Sequence, residues 1–561
     1  VSRFLQGDRE TKVSAIVSGA LVVALLAYLW RSEGSFATLA LSMAVVAAVA
    51  GLVAAVSGSL ASGILVVAGL VAAYHLGARW VSDETSRLMH AYDVLSVLGS
   101  PPAIVRTVTA HPGASVVLLV LLLLVAVLAT AAARRRSLAV PRPLAAAGVV
   151  VASVATAVAA VAMPARPHTL YYFSNIHLSS FLASLPATLA VLVRGRAIEA
   201  SDEPVVPWSA QDSACVRPDK APNVILIHQE SVAPPELFST LRYDRSLDDF
   251  FRSADGRFRQ LRVETYGGAS WLSEFSVMTG LSARSFGGLK QVVQPAMAGK
   301  IQDTLPQVLA GCGYRTTLFY PMLPSYLDSG RFFSSVGIGE TFDAKAQGAK
   351  VHDERDRFYY QSALDEFARH RVRSSAPLFA YVQTSAAHWP YSFTYAPEEK
   401  VPGGGVGTPP EMNEYLRRLA LTRADYRHLK SELARRFPGE RFLIVHYGDH
   451  QPTATRTLLG FPETADIEDV TRAAPPLAFR TYVAFDVVGT TLPDVPAPAV
   501  LDVAYVPTLI LEAAGLPLPP SHRERRRLLD RCDGLYFNCI WREDILRFHA
   551  RLLASGVVDR R

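Results

Sequence analysis

Phe442-Leu443-Ile444-Val445-His446-Tyr447-Gly448-Asp449-His450 is an apolar run that ends in a carboxylate beside an imidazole. Its length and apolar content fit a buried β-strand. Upstream, Asn223-Val224-Ile225-Leu226-Ile227-His228-Gln229-Glu230-Ser231 repeats the pattern, again ending in a carboxylate. Between and around them, 262–265, 316–320, 378–383 and 481–485 also read as strands. They alternate with helical patterns at 304–310, 359–370, 411–436, 506–514 and 543–554. Such alternation predicts an α/β domain around a mostly parallel sheet. In sheets of this kind the chemistry sits at the carboxyl ends of the strands.

Three strand ends carry reactive groups. One is Glu230, and another is the Asp449-His450 pair. The third is Tyr266-Gly267-Gly268-Ala269-Ser270-Trp271-Leu272-Ser273-Glu274-Phe275, a glycine turn that presents a hydroxyl at the start of a helix. Glu230, Ser270, Asp449 and His450 together make a four-ligand site for Mn²⁺ or Zn²⁺. A fourth strand end, Thr384-Ser385-Ala386-Ala387-His388-Trp389-Pro390, adds a histidine near the same edge. Taken singly, Glu230 reads equally as a solvated loop acid, Ser270 as an N-cap, and Asp449-His450 as a turn acid beside a surface histidine. Their shared placement at strand ends favours a site.

The rest of the chain has another character. Of 561 residues, 50% are hydrophobic, and 56 basic against 50 acidic side chains leave a formal charge of +6. Up to about residue 165 Ala, Val and Leu dominate. Five stretches there, 13–30, 36–56, 60–77, 115–133 and 144–163, meet the bilayer criterion of about 20 apolar residues. This division excludes a disordered chain, a coiled-coil rod and a wholly soluble enzyme. No long basic tract interleaves with aromatics, so no nucleic-acid partner is expected. Arg134, Arg135, Arg136 and Arg142 crowd one short connection, and Arg3, Arg9 and Lys12 precede the first span. Positive-inside reasoning puts both on the cytoplasmic side, and five spans then deliver the remainder to the outside. All four cysteines, Cys215, Cys312, Cys532 and Cys539, lie after the last span, which suits an oxidising compartment. Three pairings are open; joining Cys532 to Cys539 closes a short loop and leaves Cys215 for Cys312. The expected domains are a five-helix membrane unit (1–165), a juxtamembrane segment (166–221) and an extracytoplasmic unit (222–561). Within the middle segment, 170–173 and 181–193 read as interfacial helices and 202–222, with its prolines, as a linker.

In order along the chain stand Asn223-Val-Ile-x-Ile-x-x-Glu-Ser231, Gly267-Gly-x-Ser-x-x-Ser-Glu-Phe275, Thr304-Leu-Pro-x-x-Leu-x-x-x-Gly-Tyr314, Ala387-His-Trp-Pro390 and Tyr447-Gly-Asp-His450. This set resembles the lipoteichoic acid synthase-like branch of the sulfatase/alkaline phosphatase superfamily, membrane phosphoglycerol and phosphoethanolamine transferases. The resemblance covers about residues 223–520, and the five spans match the same architecture. It implies an alkaline phosphatase-like α/β domain after a transmembrane bundle. It implies Glu230, Asp449 and His450 as ligands of one divalent cation, with Mn²⁺ favoured and Zn²⁺ or Mg²⁺ as alternatives. Ser270 stands where the family usually has a nucleophilic threonine that also touches the metal. The family's Trp-Asn-Arg recognition run is replaced by Leu327-Asp328-Ser329, and Arg331 is the candidate to take over phosphate binding. His388 and Trp389 are the other candidate substrate contacts, and His388 is also the candidate proton shuttle.

The implied function is transfer of a phospholipid headgroup, phosphoglycerol or phosphoethanolamine, to a hydroxyl of an envelope glycan or polymer. It would proceed by a covalent Ser270 intermediate at a bacterial inner (plasma) membrane. The alternatives are a phosphodiesterase or phosphatase of the same fold and, from another class, a non-catalytic membrane scaffold. Sulfate-ester hydrolysis is disfavoured, because Cys215-Val216-Arg217-Pro218-Asp219 has Pro and Arg out of register with a formylglycine motif and sits in the linker. The glycine-rich 403–408 lacks a following Lys-Ser/Thr and reads as a loop.

Overall fold

The computed structural model describes residues 2–33, 35–98, 101–162, 177–208, 215–350 and 354–560. The chain forms two compact units, Val1–Val193 and Arg194–Arg561.

The first unit is helical: α1 (Ser2–Ser32), α2 (Phe36–Ser57), α3 (Leu60–Thr85), α4 (Ala91–Leu98), α5 (Pro101–Ala110), α6 (Pro112–Arg134), α7 (Arg142–Ala162) and α8 (Leu178–Arg194). Segments Lys12–Ser32, Phe36–Ser57, Leu60–Thr85, Pro112–Arg134 and Arg142–Ala160 are long and apolar enough to cross a membrane. These are the five spans expected, with ends shifted by up to three residues except in the third, which runs eight residues further, and with the fifth ending earlier, at Ala160. The connection between the third and fourth holds the two short helices α4 and α5. Polar caps set the boundaries: Ser35 and Thr38 form a reciprocal capping box on α2, and Ser59 caps α3. Side chain to carbonyl hydrogen bonds then tie helix ends together, Ser59 Oγ to Ser137 O at 2.6 Å and Ser62 Oγ to Ala129 O at 3.1 Å. Residues 170–173, read as interfacial, lie outside the described residues. The 181–193 stretch is the greater part of α8, a helix too short to span.

The second unit is built on eight strands: β1 (Asn223–Gln229), β2 (Gln260–Arg262), β3 (Arg315–Phe319), β4 (Glu340–Phe342), β5 (Leu378–Gln383), β6 (Phe442–Gly448), β7 (Arg480–Val488) and β8 (Val500–Asp502). Its helices are α9 (Ser270–Thr279), α10 (Val293–Met297), α11 (Leu305–Gly311), α12 (Ser329–Ser335), α13 (Ala344–Gln347), α14 (Asp356–Arg373), α15 (Pro410–Arg436), α16 (Ile467–Ala473), α17 (Val506–Ala513), α18 (Pro520–Arg531) and α19 (Arg542–Ala554). The sheet runs β4-β3-β5-β1-β6-β7-β2-β8. All neighbours are parallel except where β7 meets β6 and β2. This is the mostly parallel sheet predicted. The strand expected at 262–265 lies a few residues earlier, and the short strands β4 and β8 were unforeseen.

Strands β1, β5 and β6 are buried at every position, which is why they read as near-continuous apolar runs. One large core packs Ile225, Ile227, Ala380, Phe442 and Ile444 against Tyr360, Leu364 and Phe367 of α14 and Leu416, Leu419 and Leu429 of α15. The register sets His228 beside Tyr447 and Gln229 beside Gly448, so the residues that leave β1 and β6 emerge side by side. Two disulfides, Cys215–Cys312 and Cys532–Cys539, are formed. The start of the stretch read as a linker is held against α19: Ser201 N donates to Leu546 O at 3.0 Å and Trp208 N to Ser555 Oγ at 2.9 Å.

Candidate active site

The carboxyl ends of β1 and β6 deliver Glu230, Asp449 and His450 to one point, and the first turn of α9 brings Ser270 to them. Close backbone contact makes this convergence possible. A Cβ on Gly448 would stand 1.8 Å from the carbonyl oxygen of Val232, so only glycine lets the turn after β1 pass the end of β6. Two side-chain-bearing residues take left-handed backbone conformations beside the reactive groups: Ser231 (φ 58°) follows Glu230, and Ala269 (φ 66°) precedes Ser270. Such conformations cost about 1–2 kcal/mol each, and surrounding structure has to impose them.

Ser270 Oγ donates to Glu230 Oε2 at 3.0 Å and lies 3.4 Å from His450 Nε2. His450 Nε2 is in turn 3.3 Å from Glu230 Oε1 and 3.2 Å from Asp449 Oδ2. The other Asp449 oxygen accepts from Ser231 N at 2.8 Å. Ser273 Oγ donates to Asp449 O at 2.6 Å, which locks α9 to the end of β6. Ser270 is the first residue of α9, where the helix dipole and unpaired backbone N–H groups favour negative charge.

The sequence reading missed one member. His228 is 1% exposed, and its Nε2 lies 3.2 Å from Asp449 Oδ2 and 3.4 Å from Glu230 Oε2. His228, Glu230 and Asp449 are together a group able to hold a metal ion. The only local signal was spacing: His228 lies near the end of β1, two residues before Glu230 in the turn that follows.

Charge in the site is strongly coupled. Burial opposes a charged His228, but Tyr447, Asp449 and Glu230 outweigh it and raise its pKa well above the usual imidazole value. Burial likewise opposes charge on His450, yet Asp449 and Glu230 raise its pKa to about 9. Glu230 is also desolvated, and His228, His450 and His388 still hold its pKa well below the usual carboxylate range. Glu274 differs: burial raises its pKa, and its oxygens accept from Gln294 Nε2 at 2.8 Å and Gln383 Nε2 at 3.1 Å.

A divalent cation fits these residues. Buried Asp449 Oδ2 and His228 Nε2 lack a well-formed hydrogen bond, although each is a strong partner. Donor atoms of Glu230, Ser270, Asp449 and His450 stand 3.0–3.4 Å from their neighbours. Ligands about 2.0–2.1 Å from a tetrahedral ion are roughly 3.3 Å apart.

The remaining candidates lie on loops. His388 is half-buried, its Nδ1 contacts Trp389 O, and its charge acts on Glu230. Trp389 is half exposed. Their loop is held by Arg418 of α15, a fully buried guanidinium. Arg418 donates to His388 O at 2.6 Å, Pro390 O at 2.8 Å and Glu414 Oε1 at 2.9 Å, and it lies over the Tyr391, Phe393 and Tyr395 rings. From α14, Asp356 Oδ1 accepts from Ala386 N at 3.1 Å. Arg331 is exposed, and among the described residues its ion-pair partner is Asp328 at 3.9 Å, with none from the cluster. Tyr326, five residues earlier, is closer electrostatically: burial, Glu230 and Glu274 push its pKa up to about 12.

Comparison with known proteins adds family context. A family model described as Sulfatase matches residues 222–471. A curated relative, an uncharacterized protein of Haemophilus influenzae, is 23% identical over 243 residues. That match covers 41% of each chain, so the chain spans about two fifths of the relative's length. Among solved structures, the Streptococcus pyogenes phosphoglycerol transferase GacH, in complex with sn-glycerol-1-phosphate, is 15% identical with a TM-score of 0.47, covering 62% of this chain and 89% of that one. The lipoteichoic acid synthase LtaP of Listeria monocytogenes is 15% identical (TM-score 0.39; 58% and 78% covered). The C-terminal periplasmic domain of EptC from Escherichia coli, in a complex with Zn, is 13% identical (TM-score 0.39; 56% and 88% covered).

Proposed function

We propose, taking as premise the sulfatase-family domain of residues 222–471, that this chain is a metal-dependent phosphotransferase. It moves a phospholipid headgroup, phosphoglycerol or phosphoethanolamine, onto a hydroxyl of an envelope glycan or polymer by way of a covalent Ser270 adduct. The observation that carries this reading is the Ser270 hydroxyl at the start of α9, hydrogen-bonded to Glu230 and within 3.4 Å of His450.

Glu230, Ser270, Asp449 and His450 would hold the cation, Mn²⁺ or Zn²⁺ by donor chemistry. When bound it lowers the pKa of the Ser270 alcohol and draws charge from a phosphoryl oxygen. The chain's own groups do the rest. The Ser270 proton is released to solvent as the alkoxide forms, since Glu230, held well below the usual carboxylate range, orients the hydroxyl and does not keep its proton. As the Ser270 oxygen bonds to phosphorus, the bond from phosphorus to the diacylglycerol oxygen breaks, and His388 protonates that oxygen. In the second half His388 takes the proton of the acceptor hydroxyl. The acceptor oxygen then bonds to phosphorus as the bond from phosphorus to Ser270 breaks, and the Ser270 alkoxide leaves and regains a proton from solvent. The positive end of α9 favours the phosphoryl charge in both halves. Trp389 and Tyr326 are the candidate walls for the headgroup, and Arg331 the candidate phosphate contact from the loop.

Five spans with Arg134, Arg135 and Arg136 on the cytoplasmic side set the second unit outside an inner membrane, where its disulfides persist. The test offers labelled phosphatidylglycerol and phosphatidylethanolamine to the full-length protein in nanodiscs and follows diacylglycerol release and intact mass. Release with a headgroup adduct, both lost in Ser270→Ala, is the expected result. Transfer that survives Ser270→Ala overturns the nucleophile. Free headgroup as sole product with glycan acceptors present assigns a hydrolase instead.

A further inference from the structure

Five donor atoms close a ring at the ends of β1 and β6. From Ser270 Oγ the steps are 3.0 Å to Glu230 Oε2, 3.4 Å to His228 Nε2, 3.2 Å to Asp449 Oδ2, 3.2 Å to His450 Nε2 and 3.4 Å back to Ser270 Oγ. Adjacent ligands of a four- or five-coordinate cation with bonds of about 2.0–2.2 Å lie roughly 2.9–3.6 Å apart. Every step of the ring falls in that interval. Each of the five side chains can offer a lone pair inward once the Ser270 and imidazole protons that now bridge them are released to a cation.

His228 is held for such a task from behind. Its Nδ1 lies 3.1 Å from Tyr381 Oη and 3.0 Å from Tyr447 Oη, and the two phenols are 2.9 Å apart. Tyr381 and Tyr447 belong to β5 and β6, the strands that flank β1, so the sheet itself fixes the imidazole plane. A metal-bound histidine characteristically gives its other ring nitrogen to a fixed polar partner, which sets the tautomer and orientation. That arrangement directs Nε2 at Asp449 Oδ2, and both atoms are buried without a well-formed hydrogen bond.

We propose that His228 is a fifth ligand of the metal centre, so that the cation is held by Glu230, Ser270, Asp449, His450 and His228. The inference rests on the metal reading above and deepens it by adding a donor from inside β1. A second imidazole makes the donor set richer in nitrogen, which favours Zn²⁺ and Co²⁺ over Mg²⁺.

The test uses full-length protein in detergent, stripped with chelator and reloaded with one equivalent of Co²⁺. Parent, His228→Gln and His228→Cys are compared by visible absorption, and their Zn²⁺ affinities by competition with a chelating indicator. In His228→Gln the d–d bands should shift and intensify as a ligand is lost, and affinity should fall by more than the roughly 10–100-fold that loss of an outer partner costs. In His228→Cys a thiolate-to-Co²⁺ charge-transfer band should appear, a positive signal that a purely supporting residue does not give. Melting of the stripped proteins reports folding separately from binding. A folded His228→Gln protein with the parent's spectrum and affinity overturns the proposal. Parent protein that takes up no Co²⁺ overturns the metal reading itself, which separates the two failures.

Discussion

Glu33 in the first unit and Asp449 in the second are both carboxylates with fully buried side chains, and their surroundings are opposite. Glu33 Oε1 accepts from Ser42 Oγ at 2.6 Å and Ser179 N at 3.1 Å, while Oε2 accepts from Ser179 Oγ at 2.5 Å. Each oxygen is satisfied by groups from α2 and α8, so the acid works as a bracket that joins helices. Asp449 gives one oxygen to the backbone of Ser231 and leaves the other facing two imidazoles without a well-formed hydrogen bond. Buried polar groups are nearly always paired, and an exception in a native fold calls for an absent partner. Burial alone therefore does not mark a site; unmet bonding capacity on a carboxylate and an imidazole that face each other does.

The largest effect should separate those two acids. Asp449→Ala should lower headgroup transfer by about 10³-fold or more, since it removes charge stabilisation at the reacting phosphoryl group. Glu33→Gln, assayed on the same lipid substrate and normalised to folded protein, should keep the parent rate. Equal loss in both would end the distinction.

Arg418 shows that a charge in the second unit behaves as a bracket when its bonds are met. Arg418→Met leaves Glu414 buried with only the longer Arg417 contact at 3.4 Å and the Tyr395 N–H at 2.8 Å, a change expected to cost about 3 kcal/mol of stability by denaturant titration. It also frees the carbonyls of His388 and Pro390, so kcat should fall more than KM rises among molecules that remain folded.

Glu33→Gln should cost about 1.5–3 kcal/mol, because donors from Ser42 and Ser179 meet an amide in place of a carboxylate. Thermal unfolding in detergent, read by a helix signal, measures it. An unchanged midpoint would remove the bracket role.

Asp356 lies between the two cases. Burial raises its pKa to about 6, with Asp425 adding to the shift, although Thr422 Oγ1 donates to it at 2.7 Å. Its folded pKa exceeds the unfolded value. The stabilising contribution is therefore complete below about pH 4 and lost as pH rises through about 6. Asp356→Asn should match the parent below pH 4 and exceed it by on the order of 2 kcal/mol above pH 7. A constant difference across that window would assign the effect to packing instead.

How much of this was readable in advance follows from how local each signal is. The five spans rest on length and apolar content, and their ends moved by three residues or fewer, except that the third runs on to Thr85 through a polar last turn that the apolar criterion does not see. Strands β1, β5 and β6 announced themselves because full burial imposes apolar runs; β4 and β8, with three residues each, carry no comparable pattern. Glu230, Ser270, Asp449 and His450 were legible at strand and helix ends and come together because β1 and β6 pair in register. His228 was hidden by its strand, where an imidazole inside an apolar run reads as core. Arg418 was invisible for a different reason: its contacts with 388–393 join residues 25–30 positions apart through a loop no pattern describes. Arg331, chosen by its nearness to a family motif, has Asp328 as its ion-pair partner.

The two disulfides also keep a record of where the second unit has been. Closing loops with separations of 97 and 7 residues constrains the unfolded chain unequally, by about 4.7 kcal/mol for the longer on a chain-entropy argument. Most of that reinforcement falls on the segment that enters β1. Both bonds need an oxidising environment, and all four sulfurs belong to one unit. Under the orientation proposed above, a molecule inserted the wrong way round would carry four thiols and no cross-link, so the number of maleimide tags counted by mass reports orientation.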